Sequence, residues 1–482
     1  MQKNIVAKNI GWRILERFGA QGVTFIVSVI LARLLDPSTY GTIAIVTVII
    51  SIISVFIDSG LACSLVQKKD ADDLDFSSVF YFNLLMCIVL YVLLFSFSPF
   101  IESFYNVEGL SSIVKVLGLV LIISGFKNVQ GAYVSRHLMF KKYFFSTLGG
   151  TISSAIIGIW MAYHGFGVWA LVFQNLISNL VDTLILWCTV RWRPKLIFSF
   201  SRLKNLFSFG WKILASSLLD TIWRQLRQLI IGKEYSSADL AYYNKGVHYP
   251  ETTISSIITS FDSVLLPVMS NNKNDVSKVK SLARKSIRVC SYVIWPMMIG
   301  LAACADNLIK LILTDKWLPT VPYLRIFCIT YAFYPIHTTN LNVIKSVGRS
   351  DIILKLEVIK KIISFIIIII SMQFGILAIA LSTIFSSVIS LIINSYPNKK
   401  LIDYKVKDQM KDIMPSFLLS IMMGVVVYSL NFLHLNSFIT LIVQIFTGIV
   451  FYIGISYVLK LDSLSYCFDI LNNINHRIKH NK

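Results

Sequence analysis

Positive charge recurs inside the apolar runs of this chain, at helical spacing. In the window 10–34, Arg13, Arg17, Gln21, Thr24 and Ser28 fall within an arc of roughly 80°, flanked by Glu16. The window 204–232 puts Ser208, Lys212, Ser216, Asp220 and Arg227 on one face, with Arg224 beside it. The window 238–268 aligns Tyr242, Lys245, Tyr249, Thr252, Ser256 and Ser260. The window 351–373 carries Lys355, Glu357, Lys360 and Lys361 ahead of Ile362 to Ile370, an apolar run too short to span a bilayer alone. Guanidinium and ammonium groups in such positions bind oxyanions, the first as a planar fork and the second as a point charge.

Each such charge costs about 2.5–3.5 kcal/mol at the centre of a span. Glu16, Asp220 and Glu357 offset some neighbours, but not the whole set. The surplus is expected to face a wet cavity and to await an anionic ligand. Arg17, Arg224 and Lys361 read as cavity-lining by depth. Arg13, Lys355 and the first turns of 204–232 could equally snorkel to headgroups, and Tyr242 and Tyr249 could equally belong to an interfacial belt. The candidate anion site is therefore Arg13, Arg17, Lys212, Arg224, Arg227, Lys245, Lys360 and Lys361. Gln21, Thr24, Asp220, Tyr242 and Tyr249 supply polar and aromatic walls.

The elements that must position these residues follow from composition. The chain has 482 residues, is 55% hydrophobic and has a mean hydropathy of +0.69. A soluble protein could not hide that surface, so the fold class is an all-α polytopic membrane protein. About fourteen windows of some 20 apolar residues are expected to span. They are 10–34, 40–66, 78–103, 109–132, 141–164, 166–190, 204–232, 238–268, 284–312, 321–346, 351–373, 375–396, 411–433 and 436–460. Residues 461–482 form a tail whose Leu461, Leu464, Phe468 and Leu471 recur at helical spacing, as in a helix lying on a membrane surface. Pro250, Pro296 and Pro335 fall inside windows and are expected to kink them.

The net charge of +20 is no nucleic-acid footprint. Alternate connectors hold the basic residues, and the other set (36–40, 101–109, 164–165, 372–375, 432–436) holds no Lys or Arg. The positive-inside rule places both termini in the cytoplasm, with Lys233, Lys310 and Lys316 as exceptions. The basic face also attracts anionic membrane lipids. The first apolar run lacks a cleavage site and reads as a retained span. The seven cysteines show no paired spacing and read as small hydrophobes. Asp58, Asp182 and Asp262 lie near window ends and read as structural partners. The histidines are isolated, so no metal ligand is assigned. No Gly-x-x-x-x-Gly-Lys-Ser/Thr loop or His-Glu-x-x-His pair is present, and no large outer loop carries acids. Nothing here calls for an enzyme or a bound cofactor.

Gly11-Trp12-Arg13-Ile14-Leu15 is echoed by Gly210-Trp211-Lys212-Ile213-Leu214. The echoes open spans six apart, so the halves read as parallel repeats with a site between them. The lobes are 1–200 and 201–398, followed by a pair of helices over 399–460 and the tail 461–482. Such a chain reads as a carrier for an anionic substrate.

A resemblance adds to this reading. Ile30-Leu-Ala-Arg-Leu-Leu-Asp-Pro-Ser-Thr-Tyr-Gly41, Asp58-Ser-Gly-Leu61, Leu65-Val-Gln-Lys-Lys69, Ile230-Ile-Gly-Lys233 and Leu240-Ala-Tyr-Tyr-Asn-Lys-Gly246 are similar to segments of the Wzx-type polysaccharide flippases of the MOP (MATE-like) superfamily, in the WzxC-type branch. The likeness covers nearly the whole chain. It implies two six-helix lobes around a central cavity plus two C-terminal helices. It also implies an undecaprenyl-diphosphate-linked oligosaccharide as substrate, moved from the inner to the outer leaflet by alternating access. A polysaccharide polymerase and glycosyltransferases would be partners, in a bacterial inner membrane. Coupling to membrane potential, proton or sodium stays open. Relatives often carry an acid where this chain has Arg227, which leaves any coupling role of that acid in doubt. The rival readings are a cation-coupled multidrug antiporter of the same superfamily, a carrier for a cell-wall precursor lipid, and a scaffold of a glycan-synthesis complex.

Overall fold

The structure, a computed structural model, describes residues 19–58, 60–68, 70–433 and 435–466, apart from the side chains of Asp58, Cys63, Asn205, Ser208, Phe209 and Ser256. Every regular element among the described residues is a helix. The solvent dictates this: lipid offers no hydrogen bonds, so a spanning segment must satisfy its own backbone.

In chain order the helices are α1 (Gly19–Leu34), α2 (Pro37–Asp58), the short α3 (Leu61–Gln67), α4 (Asp73–Tyr105), α5 (Leu110–Arg136), α6 (Phe140–Tyr163), α7 (Val168–Thr189) and α8 (Phe200–Glu234). Then come α9 (Ser237–Asn271), α10 (Val276–Ala303), α11 (Ala305–Leu313), α12 (Val321–Ala332), α13 (Tyr334–Ser346), α14 (Ser350–Ser371), α15 (Ile376–Leu401), α16 (Val406–Ser429) and α17 (Ser437–Val458). Among the described residues, ten helices are long and apolar enough to cross a bilayer: α2, α4 to α7, α9, α10 and α15 to α17. The other four of the fourteen windows fall short for physical reasons. Only part of α1 is described, α8 and α14 carry the interior charges named above, and 321–346 is two helices.

Three expectations need correction. Pro335 does not kink a continuous span; it sits in the first turn of α13, where its missing N–H removes no helical bond. Pro250 and Pro296 do lie inside α9 and α10. The window 284–312 breaks at Cys304 into α10 and α11. Asp182 is not near a helix end, but seven residues before the last residue of α7. Of the expected tail helix, residues 462–466 are helical; Phe468 and Leu471 lie outside the described residues. Cys87, Cys290, Cys304 and Cys328 are buried, unbridged thiols, consistent with their reading as small hydrophobes.

The chain forms two compact units, Met1–Ala241 and Tyr242–Lys482. In the first, α8 packs on α2, α3 and α4, and α6 lies along α7. The α6 contact face is Ser146, Gly150, Ser154 and Gly158, all buried at four-residue spacing, the small-residue stripe that lets helices approach closely in lipid. A Cβ on Gly150 would stand 2.6 Å from the Ser178 carbonyl oxygen. The α4 start is held by charge. Asp72 caps the helix by accepting from the Asp75 N–H, and that bond holds the Asp72 carboxyl below its ordinary pKa. Lys68 pairs with Asp75 at 2.5 Å and Lys195 with Asp73 at 2.6 Å, above a core of Phe76, Phe80, Leu186 and Trp192.

In the second unit α10 packs on α16, and α15 on α12, α13 and α14. Buried amides join the elements. Asn340 Nδ2 donates to Gln409 Oε1 at 2.8 Å, and Asn398 Nδ2 to Asn340 Oδ1 at 2.6 Å. Asp262 accepts from Asn342 Nδ2 at 2.8 Å, a structural partner as expected.

Candidate functional site

The first unit presents its cations on α8. One side of this helix is covered by α2, α3 and α4. The other leaves Lys212, Ser216 and Leu219 exposed, with Asp220 half-buried and Arg224 exposed. Arg224 is ion-paired to Asp220, one turn back on the same helix. Lys212 has no ion-pair partner among the described residues. Arg227, one turn beyond Arg224, is half-buried, and its Nε is enclosed without a hydrogen-bond partner in the described structure. The next-door Gln225 donates to Ser51 Oγ on α2 at 3.3 Å, which fixes the rotation of α8. Gln21 and Thr24 are exposed on α1. Arg13, Arg17 and Glu16 lie outside the described residues.

In the second unit the candidates fall at two places. Lys245 Nζ stands 5.7 Å from the centroid of the buried Trp317 ring, and the Tyr242 ring meets the same indole edge-on at 6.0 Å. The Tyr242 hydroxyl donates to the Lys316 carbonyl at 3.3 Å. Tyr242 and Lys245 thus anchor the 3₁₀ turn Asp315–Thr320 to the start of α9. Tyr249 is half-buried, with its ring against His248. On α14, Lys360 Nζ lies 2.5 Å from Glu357 Oε1, the pairing expected from their spacing, and Lys361 is half-buried beside it.

Ion pairing thus narrows the surplus to a smaller set than the sequence indicates. Asp220 and Glu357 each neutralise one neighbour, and an aromatic face takes Lys245. Among the described residues Lys212, on the same helix as Arg227, has no ion-pair partner, and Arg227 Nε has no hydrogen-bond partner. An apolar cavity of about 410 Å³ between α10, α16 and α17 is lined by Pro296, Met423, Val427 and Gly448. No Lys or Arg lines it.

Three pairings lie outside the sequence reading, which gives Asp182 as a structural partner without naming what it pairs with. Lys127 of α5 pairs with Asp182 of α7 at 2.5 Å. Asp412 of α16 is bridged by Arg284 and Arg288 of α10. His337 of α13 bonds Ser387 of α15 at 3.0 Å. The signal for Asp182 was there: Gln174, Ser178 and Asp182 repeat every four residues in an otherwise apolar window. The partners of Asp412 and His337 lie far off in sequence, where no spacing rule reaches.

Comparisons with known proteins agree on fold and family. The chain is 23% identical to the succinoglycan biosynthesis transport protein ExoT of Rhizobium meliloti (strain 1021) over 348 residues, covering 72% of this chain and 70% of that protein. It is 24% identical over 386 residues to the lipopolysaccharide biosynthesis protein WzxC of Escherichia coli (strain K12), covering 78% and 77%. The fold matches that of the lipid II flippase MurJ in its inward closed conformation, with a TM-score of 0.76, 16% identity, and coverage of 94% of this chain and 99% of that one. An inward-facing multidrug resistance MATE transporter of the MOP superfamily aligns at a TM-score of 0.59 and 14% identity, over 79% and 94%. Residues 30–322, more than half of the chain, match the family described as polysaccharide biosynthesis protein, and the chain belongs to that family.

Proposed function

We propose that this protein is a flippase that moves an undecaprenyl-diphosphate-linked oligosaccharide from the inner to the outer leaflet of a bacterial cytoplasmic membrane, by alternating access and without enzymatic chemistry. The repeat lobes are 1–200 and 201–398, and both termini are cytoplasmic. The observation that carries the reading is α8, where the exposed Lys212 has no ion-pair partner and the half-buried Arg227 has an Nε without a hydrogen-bond partner among the described residues, within a fold shared with a lipid II flippase. A diphosphate supplies the oxygens those donors need. Arg17 and Lys361 complete the set in this proposal, and Gln21, Thr24, Tyr242 and Tyr249 border the glycan.

Direction follows from charge. Moving a negative headgroup outward from a negative interior is favourable by about 2.3 kcal/mol per charge per 100 mV. The emptied, cationic site is drawn back by the same field. The chain would work beside glycosyltransferases that assemble the unit and a polymerase that consumes it.

The test replaces Lys212 and Arg227 together by Ala in the native host. Loss of surface glycan with accumulation of lipid-linked precursor is the expected result. A normal surface with no accumulation means the chain does not carry that precursor. A multidrug antiporter is disfavoured because its cationic cargo would meet Lys212 and Arg227 rather than carboxylates.

A further inference from the structure

The second unit carries a groove that the anion site does not use. It lies between the last third of α9 and the first half of α10, and its volume is about 190 Å³. Phe261, Val264, Leu265 and Val268 line it from α9, and Leu282 and Val289 from α10. From Val268 to Phe261 it runs about 10 Å along the helix. Pro267 takes one backbone bond out of this stretch of α9. Val264 and Val268 are 64% and 39% exposed. In a spanning helix such side chains face hydrocarbon, so the groove opens to the bilayer.

The charged residue in this lining is a cation. On α10, Lys278, Leu282, Lys285 and Val289 fall within an arc of roughly 60°. Lys285 lines the groove, and its Nζ lies 4.3 Å from the centroid of the Tyr466 ring. A lysine so placed lays its methylenes on apolar surface and keeps its head in a polar layer. Tyr466 follows Leu464, which is buried in one core with Leu419 and Leu441, so the ring that meets the ammonium is held in place.

The carboxylates near this end are engaged elsewhere. Asp275 caps α10 by accepting from the Lys278 N–H at 2.9 Å, and Asp262 accepts from Asn342. Asp403 pairs with Lys280 at 3.2 Å. Asp412 holds Arg284 and Arg288, and Asp462 lies 3.8 Å from Arg288. Lys278, Lys285 and Lys273 of the α9–α10 turn are exposed. Among the described residues, none of the three lysines is within ion-pair distance of a carboxylate.

Groove and rim together select one occupant. The apolar channel takes an acyl chain, and the lysines at its rim take a phosphodiester. A zwitterionic headgroup would also bring an ammonium, which no carboxylate in the lining receives. A net anionic headgroup brings none, and cations near the surface favour it. We infer that the α9–α10 groove is a binding site for an anionic glycerophospholipid, with one acyl chain against Phe261, Val264 and Leu282 and the phosphate on Lys285 and Lys278. The site lies in the leaflet that the charge pattern assigns to the cytoplasm. It needs no assumption about the cargo.

The test is native mass spectrometry of the purified full chain, delipidated in detergent and offered dioleoylphosphatidylglycerol and dioleoylphosphatidylcholine in equal amounts. Phosphatidylglycerol is expected to be retained in preference. Lys285→Gln should lower its retention about fivefold, and Lys278→Gln/Lys285→Gln about 25-fold, from the contribution of each cation beside an anionic lipid. Lys285→Arg should restore retention, which separates lost charge from lost fold. Val264→Trp fills the groove, leaves every charge in place and should also expel the lipid. Lys407→Gln removes an equal charge from the exposed start of α16 and should change nothing. Equal retention of both lipids overturns the proposal, as does full retention in Val264→Trp. A loss in Lys407→Gln as large as that in Lys285→Gln overturns it too, because it would mean diffuse attraction to a basic face. Undecaprenyl diphosphate added in excess should leave phosphatidylglycerol bound. Displacement would make the groove part of the cargo path and end its assignment to a phospholipid.

Discussion

Asp412 on α16 accepts two hydrogen bonds from Arg284 on α10, from Nε at 2.8 Å and from Nη2 at 2.9 Å. Arg288, one turn along α10, bonds the same carboxylate, and the Tyr404 hydroxyl donates to it at 2.8 Å. The Asp412 side chain is 2% exposed, whereas the arginines keep access to solvent. One carboxylate therefore holds two helices and a connector together. Asp412→Ala should destabilise the protein by about 3 kcal/mol, the lower end for breaking a buried pair, because the arginines can rehydrate. Tyr404→Phe should cost about 1 kcal/mol. Thermal unfolding in detergent checks the order; equal effects would mean that the carboxylate is not the hub.

At the proposed anion site, sign should matter more than shape. Lys212→Arg keeps a cation and should retain glycan export, whereas Lys212→Glu should abolish it. Arg227→Ala should weaken binding of a lipid-linked diphosphate about 10- to 100-fold, the loss of one charge-assisted hydrogen bond of about 1.5–3 kcal/mol. Binding of fluorescent undecaprenyl diphosphate to the purified variants measures this. An unchanged affinity in Arg227→Ala would place the ligand elsewhere.

Gly41 closes the sequence segment that carries much of the family resemblance, and its role is steric. An added Cβ would sit 1.6 Å from the Ser237 carbonyl oxygen, so backbone must move. Gly41→Ala should cost about 1–3 kcal/mol, visible as a lowered unfolding temperature, while Gly22→Ala, with open space around it, should be close to neutral.

The capping box at the start of α4 gives a pH signature. The backbone bond from Asp75 favours the ionised Asp72 carboxyl. Because its pKa is depressed on folding, the cap's contribution is fully present above the unfolded value near 4 and is lost as pH falls through the lower folded value. Asp72→Ala should remove about 1 kcal/mol at neutral pH, and the gap from wild type should close below that range. A gap that persists in acid would show that Asp72 acts by something other than its charge.

The spans were legible because lipid imposes one simple rule on twenty-residue windows, and ten of them each hold a helix long and apolar enough to cross among the described residues, though 40–66 also takes in α3 and 284–312 also takes in α11. Short-range pairings were legible too: Glu357 with Lys360 and Asp220 with Arg224 follow from one helical turn. What sequence spacing could not show is pairing across helices. Lys245 reads as a site cation until Trp317 is seen beneath it, 72 positions away. Asp182 shows its partner only when α5 brings Lys127 beside it, 55 positions away. The break at Phe333 was hidden because α12 and α13 together have the length of one span.

The charged helices also constrain how the chain is made. When α8 emerges, its partners α2, α3 and α4 have already been synthesised, so one side of it can pack on arrival while the side bearing Lys212 and Arg224 stays exposed. Helix α14 has no such escort for much of its surface: besides α13, it packs on α15, which comes later. Lys355, Glu357, Lys360 and Lys361 make solitary partitioning unfavourable. The two helices should therefore enter the bilayer as a hairpin, and a nascent chain halted after Ser371 should leave α14 outside the hydrocarbon until the Ile376–Leu401 segment is released from the ribosome.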